Sequence, residues 1–159
     1  ASASTGTQNF RQAFIRSNPG GNVAASERIS HQRDEIDQFE AFLARALVEN
    51  FSFRRLIVVF GVLKDKNDRA MLQRIGRLAS VLVLTRPPEA RARAPEDLVV
   101  SARALCSRVL LEPDPALAIE TAVSQAGTGD LVCVTGSLYL VGQAKAVLGS
   151  TVRDENYQE

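Results

Sequence analysis

Gly136 and Ser137 follow a short apolar run, Leu131 to Val134, and that placement is where this chain could do chemistry. The run has the pattern of a strand buried on both faces. Gly136 lets the backbone turn without a Cβ, and Ser137 stands where a helix N-cap belongs. Leu138, Val141, Ala144 and Leu148 recur behind it at helical spacing. A helix N-terminus carries free N–H groups and partial positive charge, so this corner could hold a carboxylate or phosphate. The same residues also make a plain tight turn between strand and helix, and spacing alone leaves both readings open. A second candidate is the charged stretch Lys64, Asp65, Lys66 and Asn67, together with Arg86. It either faces a ligand or is a solvated loop in which Asp65 or Asn67 caps the next helix.

Several kinds of chemistry lack their residues. His31 is the single histidine, which argues against a histidine-based metal site or a Ser-His-Asp triad. No Gly-x-x-x-x-Gly-Lys-Ser/Thr loop occurs in the 159 residues, and no Gly-x-Gly-x-x-Gly follows a strand. Asp34, Glu35 and Asp37 form an acidic cluster that a helix start explains. Cys106 and Cys133 sit in apolar surroundings, one in a predicted helix and one in a predicted strand, without metal-ligand spacing. They read as small core residues of a reducing compartment. The residues taken alone therefore predict no catalytic group and no metal site.

The composition is that of one ordinary globular domain, with 45% hydrophobic and 23% charged residues. Nineteen basic against eighteen acidic residues give a net charge of +1, which predicts neither a nucleic-acid nor a membrane partner. No apolar run reaches membrane-spanning length and no signal pattern opens the chain. These features point to the cytoplasm, or to an organelle lumen with reduced thiols if Ala1 is a processed start.

The elements that must position the candidate residues follow a repeating rhythm. Residues 1–30 contain few apolar side chains, and Asn18-Pro-Gly-Gly21 is a turn cluster, so they read as a linker or poorly ordered arm. Residues 31–150 read as an α/β domain and residues 151–159 as a polar tail. An amphipathic helix is expected over Asp34 to Glu49. Strands are expected over Arg55–Gly61, Ser80–Thr85, Arg108–Leu111 and Leu131–Thr135. Between them lie helical stretches over Asn67–Ala79, from Pro95, and from Pro115 behind an Asp114 cap. Alternating strands and helices predict an open, mostly parallel, Rossmann-like sheet with helices on both faces. In such sheets ligands bind beyond the carboxyl ends of the strands, so Lys64, Asp65, Lys66, Arg86 and Ser137 should share one rim.

Three segments together are specific: Phe60-Gly-Val-Leu-Lys-Asp-Lys-Asn67 with Met71-Leu72, Leu84-Thr-Arg-Pro-Pro88 with Arg91-Ala92, and Asp130 through Gly142. In order and spacing they resemble the C-terminal domain of bacterial folylpolyglutamate synthase/dihydrofolate synthase, of the Mur ligase superfamily. The likeness runs from about Arg54 to Gly149, about three-fifths of the chain. It implies a reaction in which ATP phosphorylates a carboxylate of a pteroate or folate. The amine of glutamate then attacks the acyl phosphate, giving an amide, ADP and phosphate. In that family an N-terminal domain carries the P-loop, the magnesium ligands and most of the folate site. The resemblance makes Ser137, with Gly136, a contact to glutamate, and places Lys64, Asp65, Lys66 and Arg86 on an interdomain or nucleotide-facing rim. ATP and magnesium would belong mainly to the N-terminal domain, and the chain alone would be inactive.

Departures are equally specific. The family's C-terminal domain opens on a strand ending in Asp-Gly-Ala-His-Asn-Pro, and Gln32-Arg-Asp-Glu-Ile-Asp37 does not match it. The turn Pro19-Gly20-Gly21 lacks the family's arginine, and Val23 to Ser30 has little of an apolar strand. Loss of that strand would leave a sheet edge open, to be covered by residues 1–30 or by a partner strand. Two functions follow. Either the chain is the glutamate-binding domain of a ligase completed by a P-loop domain, or it is a non-catalytic descendant acting as a protein-binding or structural module.

Overall fold

The computed structural model describes residues 13–17, 23–26, 45, 47–49 and 52–148. In chain order its strands are β1 (Ala13–Ser17), β2 (Val23–Ser26), β3 (Leu56–Phe60), β4 (Val81–Leu84), β5 (Val109–Leu111) and β6 (Leu131–Thr135). Its helices are α1 (Asp68–Gly76), α2 (Val99–Arg103, entered through a 3-10 turn at Pro95–Leu98), α3 (Pro115–Gln125) and α4 (Leu138–Leu148). The strands make one sheet in the order β2-β1-β6-β3-β4-β5. β6, β3, β4 and β5 run parallel, which is the α/β architecture the strand–helix alternation predicts.

Alternate strand residues feed opposite layers, because successive side chains leave opposite faces of a sheet. Leu56, Val58 and Phe60 join Leu72, Ile75, Leu98 and Ala102 on one face. Ile57 and Val59 join Ile119, Ala122, Leu140 and Val141 on the other. All five residues of β3 and all five of β6 are buried, so these two strands form the spine of the molecule. Local chemistry sets the helix starts. Asp114 Oδ1 accepts from Ala116 N at 2.9 Å and Leu117 N at 3.2 Å, with Pro115 at the first helical position.

The N-terminal region departs from the expected arm. β1 pairs antiparallel with β6 from Ala13↔Thr135 to Ser17↔Leu131, and β2 pairs antiparallel with β1. The edge of β6 is thus covered from within the chain, by strands that few apolar residues announce. Strand addition is driven by backbone hydrogen bonds to a waiting edge, and such bonds leave no mark on apolar count. The expected loss of a strand over Val23 to Ser30 is corrected accordingly, since Val23–Ser26 is β2. The helix expected over Asp34 to Glu49 lies largely outside the described residues; within it, Arg45 and Leu47–Glu49 are helical and Leu47 is fully buried. His31, the cluster Asp34, Glu35 and Asp37, and the tail 151–159 also lie outside them.

Two smaller corrections concern side chains. Cys106 lies just past α2 rather than within a helix, its Sγ donating to Ala79 O at 3.3 Å; both cysteines are buried, as expected of core residues. Leu138 is exposed, and α4 buries Leu140, Val141 and Ala144 instead.

Candidate functional site

The strand order reverses between β3 and β6. The chain leaves β3 through α1 toward β4, and reaches β6 from the far edge through α3. An open α/β sheet has its ligand crevice at this switch point, beyond the carboxyl ends. Backbone, rather than side chains, shapes the floor here. Gly136 has φ of 113°, and a Cβ on it would lie 2.2 Å from the Gly61 carbonyl oxygen. A Cβ on Gly61 would in turn lie 2.9 Å from Thr85 O. The ends of β6, β3 and β4 therefore meet main chain to main chain, and only glycine fits at the first of these contacts.

That contact delivers Ser137 to the start of α4. Its Oγ accepts from Tyr139 N at 3.1 Å, and its carbonyl accepts from Leu140 N and Val141 N. Ser137 is thus the N-cap that its position predicts, 7% exposed, with its hydroxyl hydrogen still available to donate. Leu138 and Tyr139, both about half exposed, flank it on the outside.

The second candidate group lies on the neighbouring loop. The segment after β4 grips the segment after β3: Leu63 bridges Ala92, Lys64 N donates to Arg91 O at 2.9 Å, and Arg93 N donates to Val62 O at 2.9 Å. Asn67, not Asp65, caps α1, its Oδ1 accepting from Ala70 N at 3.2 Å. Asp65 is released for an ion pair with Arg91 at 3.8 Å, and Arg91 also pairs with Glu89 at 3.1 Å. Glu89 chiefly, with Asp65 and Tyr139 adding, holds the Arg91 guanidinium more firmly protonated than usual. Arg86 is exposed on the next strand end, its backbone N–H donating to Pro113 O at 3.3 Å. All five predicted rim residues thus stand at the carboxyl ends of β3, β4 and β6.

No sequence motif singles out Arg93 or Glu89, or marks Arg91 as a rim group. Arg91 was visible only as part of a family segment. No local pattern marks Arg93, because its contacts reach back about thirty positions in sequence.

Among the described residues, no group of three or more His, Cys, Asp or Glu is placed to hold a metal ion. Among them too, no helix is long and apolar enough to cross a membrane.

The profile of the family described as "Mur ligase, glutamate ligase domain" matches residues 34–138, about two-thirds of the chain. The chain belongs to that family. Within the Mur ligase family its likeness is to the C-terminal domain of folylpolyglutamate synthases. The dihydrofolate synthase/folylpolyglutamate synthase of Bacillus subtilis is 29% identical over 116 residues, covering 73% of this chain and 26% of that protein. A Mycobacterium tuberculosis folylpolyglutamate synthase, solved with ADP and AMPPCP, aligns over 90% of this chain and 33% of its own, at 27% identity and a TM-score of 0.69. The Thermotoga maritima folylpolyglutamate synthase aligns over 89% of this chain and 31% of its own, at 26% identity and a TM-score of 0.63. This Mur ligase domain therefore spans about a quarter to a third of the relatives it matches.

Proposed function

We propose that this chain is the glutamate-binding domain of an ATP-dependent folate–glutamate ligase, closing over a P-loop domain to complete the site. The observation that carries the reading is the Gly136–Ser137 corner. It puts a capped helix N-terminus at the switch point of the sheet, where partial positive charge and a donor hydroxyl suit a carboxylate. Ser137 donates its hydroxyl hydrogen to a carboxylate of the incoming glutamate, while its lone pair keeps the Tyr139 N–H. Lys64, Lys66 and Arg86 face the nucleotide-bearing partner and favour negative charge there. The reaction is amide formation: ATP converts a folate carboxylate to an acyl phosphate, and the glutamate amine displaces phosphate. With no P-loop in its 159 residues, the chain by itself performs neither step.

One observation bears on the alternative, a protein-binding module recruited to an open sheet edge. β1 already fills the edge of β6, so that edge is not available to a partner strand.

Ser137→Ala tests the assignment. Loss of the cap should cost the isolated chain at most about 1 kcal/mol, read by urea unfolding. With the chain joined to a P-loop ligase domain, KM for glutamate should rise about tenfold, the worth of one hydrogen bond to a charged group. An unchanged glutamate KM would remove Ser137 from the site.

A further inference from the structure

We propose that Arg93 is a positioning residue that fixes the loop presenting Lys64 and Lys66 to the phosphate groups of a bound nucleotide. The inference rests on the reading of the carboxyl-end rim given above. Its basis is a three-point grip made by one residue. The backbone N–H of Arg93 donates to Val62 O at 2.9 Å, ahead of the loop. Nη2 donates to Lys64 O at 3.3 Å, within it. Nε lies against the Asp68 carboxylate, at the first residue of α1 beyond it.

The chemistry of the grip is that of a guanidinium. Nε is buried and meets Asp68 as a charge pair rather than an aligned hydrogen bond, so that carboxylate is its compensation. Both side chains are largely covered, 29% and 22% exposed, and water screens the pair little. Asp68 stands in the first turn of α1, where negative charge is also favoured. A planar fork reaches two partners in fixed directions; a lysine ammonium is a single point charge on a flexible stem.

Arg91 shows the contrast. Its side chain is 58% exposed, and it holds Lys64 only through its backbone carbonyl. Arg91 and Arg93 are both matched to carboxylates, whereas among the described residues Lys64 and Lys66 have no ion pair. With Arg86, the two lysines are therefore the rim cations left for phosphate, and Arg93 acts through the lysines without touching the ligand.

Hydrogen exchange of the isolated chain tests the grip. In Arg93→Ala and Arg93→Lys alike, the Lys64 and Lys66 amides should exchange about tenfold faster, a local opening, while amides of Leu131–Thr135 keep their rates. Arg91→Ala should leave both sets unchanged. Should Arg93→Ala fail to fold, Asp68→Asn keeps the side-chain shape, removes the compensating charge and should give the same local pattern. Unchanged Lys64 and Lys66 exchange, or equal acceleration across the sheet, would overturn the proposal. In the chain joined to a P-loop domain, Arg93→Lys should raise KM for ATP about tenfold and leave KM for glutamate within about twofold, a split that a general loss of stability does not produce. Faster local exchange with an unchanged KM for ATP would contradict the reading of the rim, and unchanged exchange would contradict Arg93 alone.

Discussion

Gly136→Ala is expected to destabilise the chain by about 3 kcal/mol or more, a large part of the stability of an ordinary domain. Two costs add. The backbone at φ of 113° is one that L side chains rarely adopt, and the new Cβ would meet the Gly61 carbonyl oxygen at 2.2 Å. Neither partner can yield cheaply, since the Cβ is fixed to the backbone and meets a main-chain oxygen, just past the ends of the two fully buried strands. Relief would require β3 and β6 to part, which displaces Ser137 from the switch point. Gly142→Ala provides the control within α4. A Cβ there has no neighbour within 4 Å, so the change should be neutral or stabilising by up to about 1 kcal/mol. Urea unfolding of the two variants checks the pair, and a Gly136→Ala midpoint equal to that of the parent would contradict the backbone contact.

The second large effect lies at the opposite end of the sheet. Asp130 is buried just ahead of β6, its Oδ2 accepting from Arg55 Nη2 at 2.8 Å, Arg55 Nε at 3.1 Å and Gly127 N at 2.7 Å. Oδ1 has no partner among the described residues, so the carboxylate is held through one oxygen. Burial pushes the Asp130 carboxyl up, but hydrogen bonds from Arg55 and the Gly127 N–H, with the Arg55 charge, together outweigh it and hold the pKa below its ordinary value. A carboxyl whose folded pKa is depressed stabilises the fold fully above its unfolded pKa, about 4. That stability is lost as pH falls through the lower folded value. Asp130→Asn should cost about 2 kcal/mol at neutral pH, discounted because Arg55 is 41% exposed and keeps part of its hydration. The gap between parent and variant should narrow as the pH is lowered below about 4 and the parent's own carboxylate protonates. Unfolding free energies measured across that range check both the sign and the window, and a gap that widened on acidification would contradict the pairing.

These two sites differ in how far the sequence announces them. The Gly136–Ser137 corner is legible because its cause is local: a buried strand, a glycine and a cap follow one another without interruption. The parallel sheet is legible for the same reason, since Leu56–Phe60 and Leu131–Thr135 are unbroken apolar runs bounded by helices. For the sheet edge, the need for a cover was legible and residues 1–30 were one of two candidates, but β1 and β2 themselves were not. Ala13–Ser17 and Val23–Ser26 are strands because β6 offers a free edge, and that cause lies over a hundred residues away. Arg93 and the Arg55–Asp130 pair were hidden likewise, because charged residues look alike in sequence until distant segments bring a partner. Asn67 rather than Asp65 as the α1 cap was one of two choices the spacing left open, and geometry settled it in favour of the amide.

The most direct test of the central claim is ATP-dependent amide formation by this chain joined to the P-loop domain of a folylpolyglutamate synthase. The account predicts glutamate-dependent formation of ADP and of a folate lengthened by one glutamate, with neither part active alone. A folded, stably associated fusion that forms no amide, alongside a competent enzyme carrying its own C-terminal domain, would contradict it.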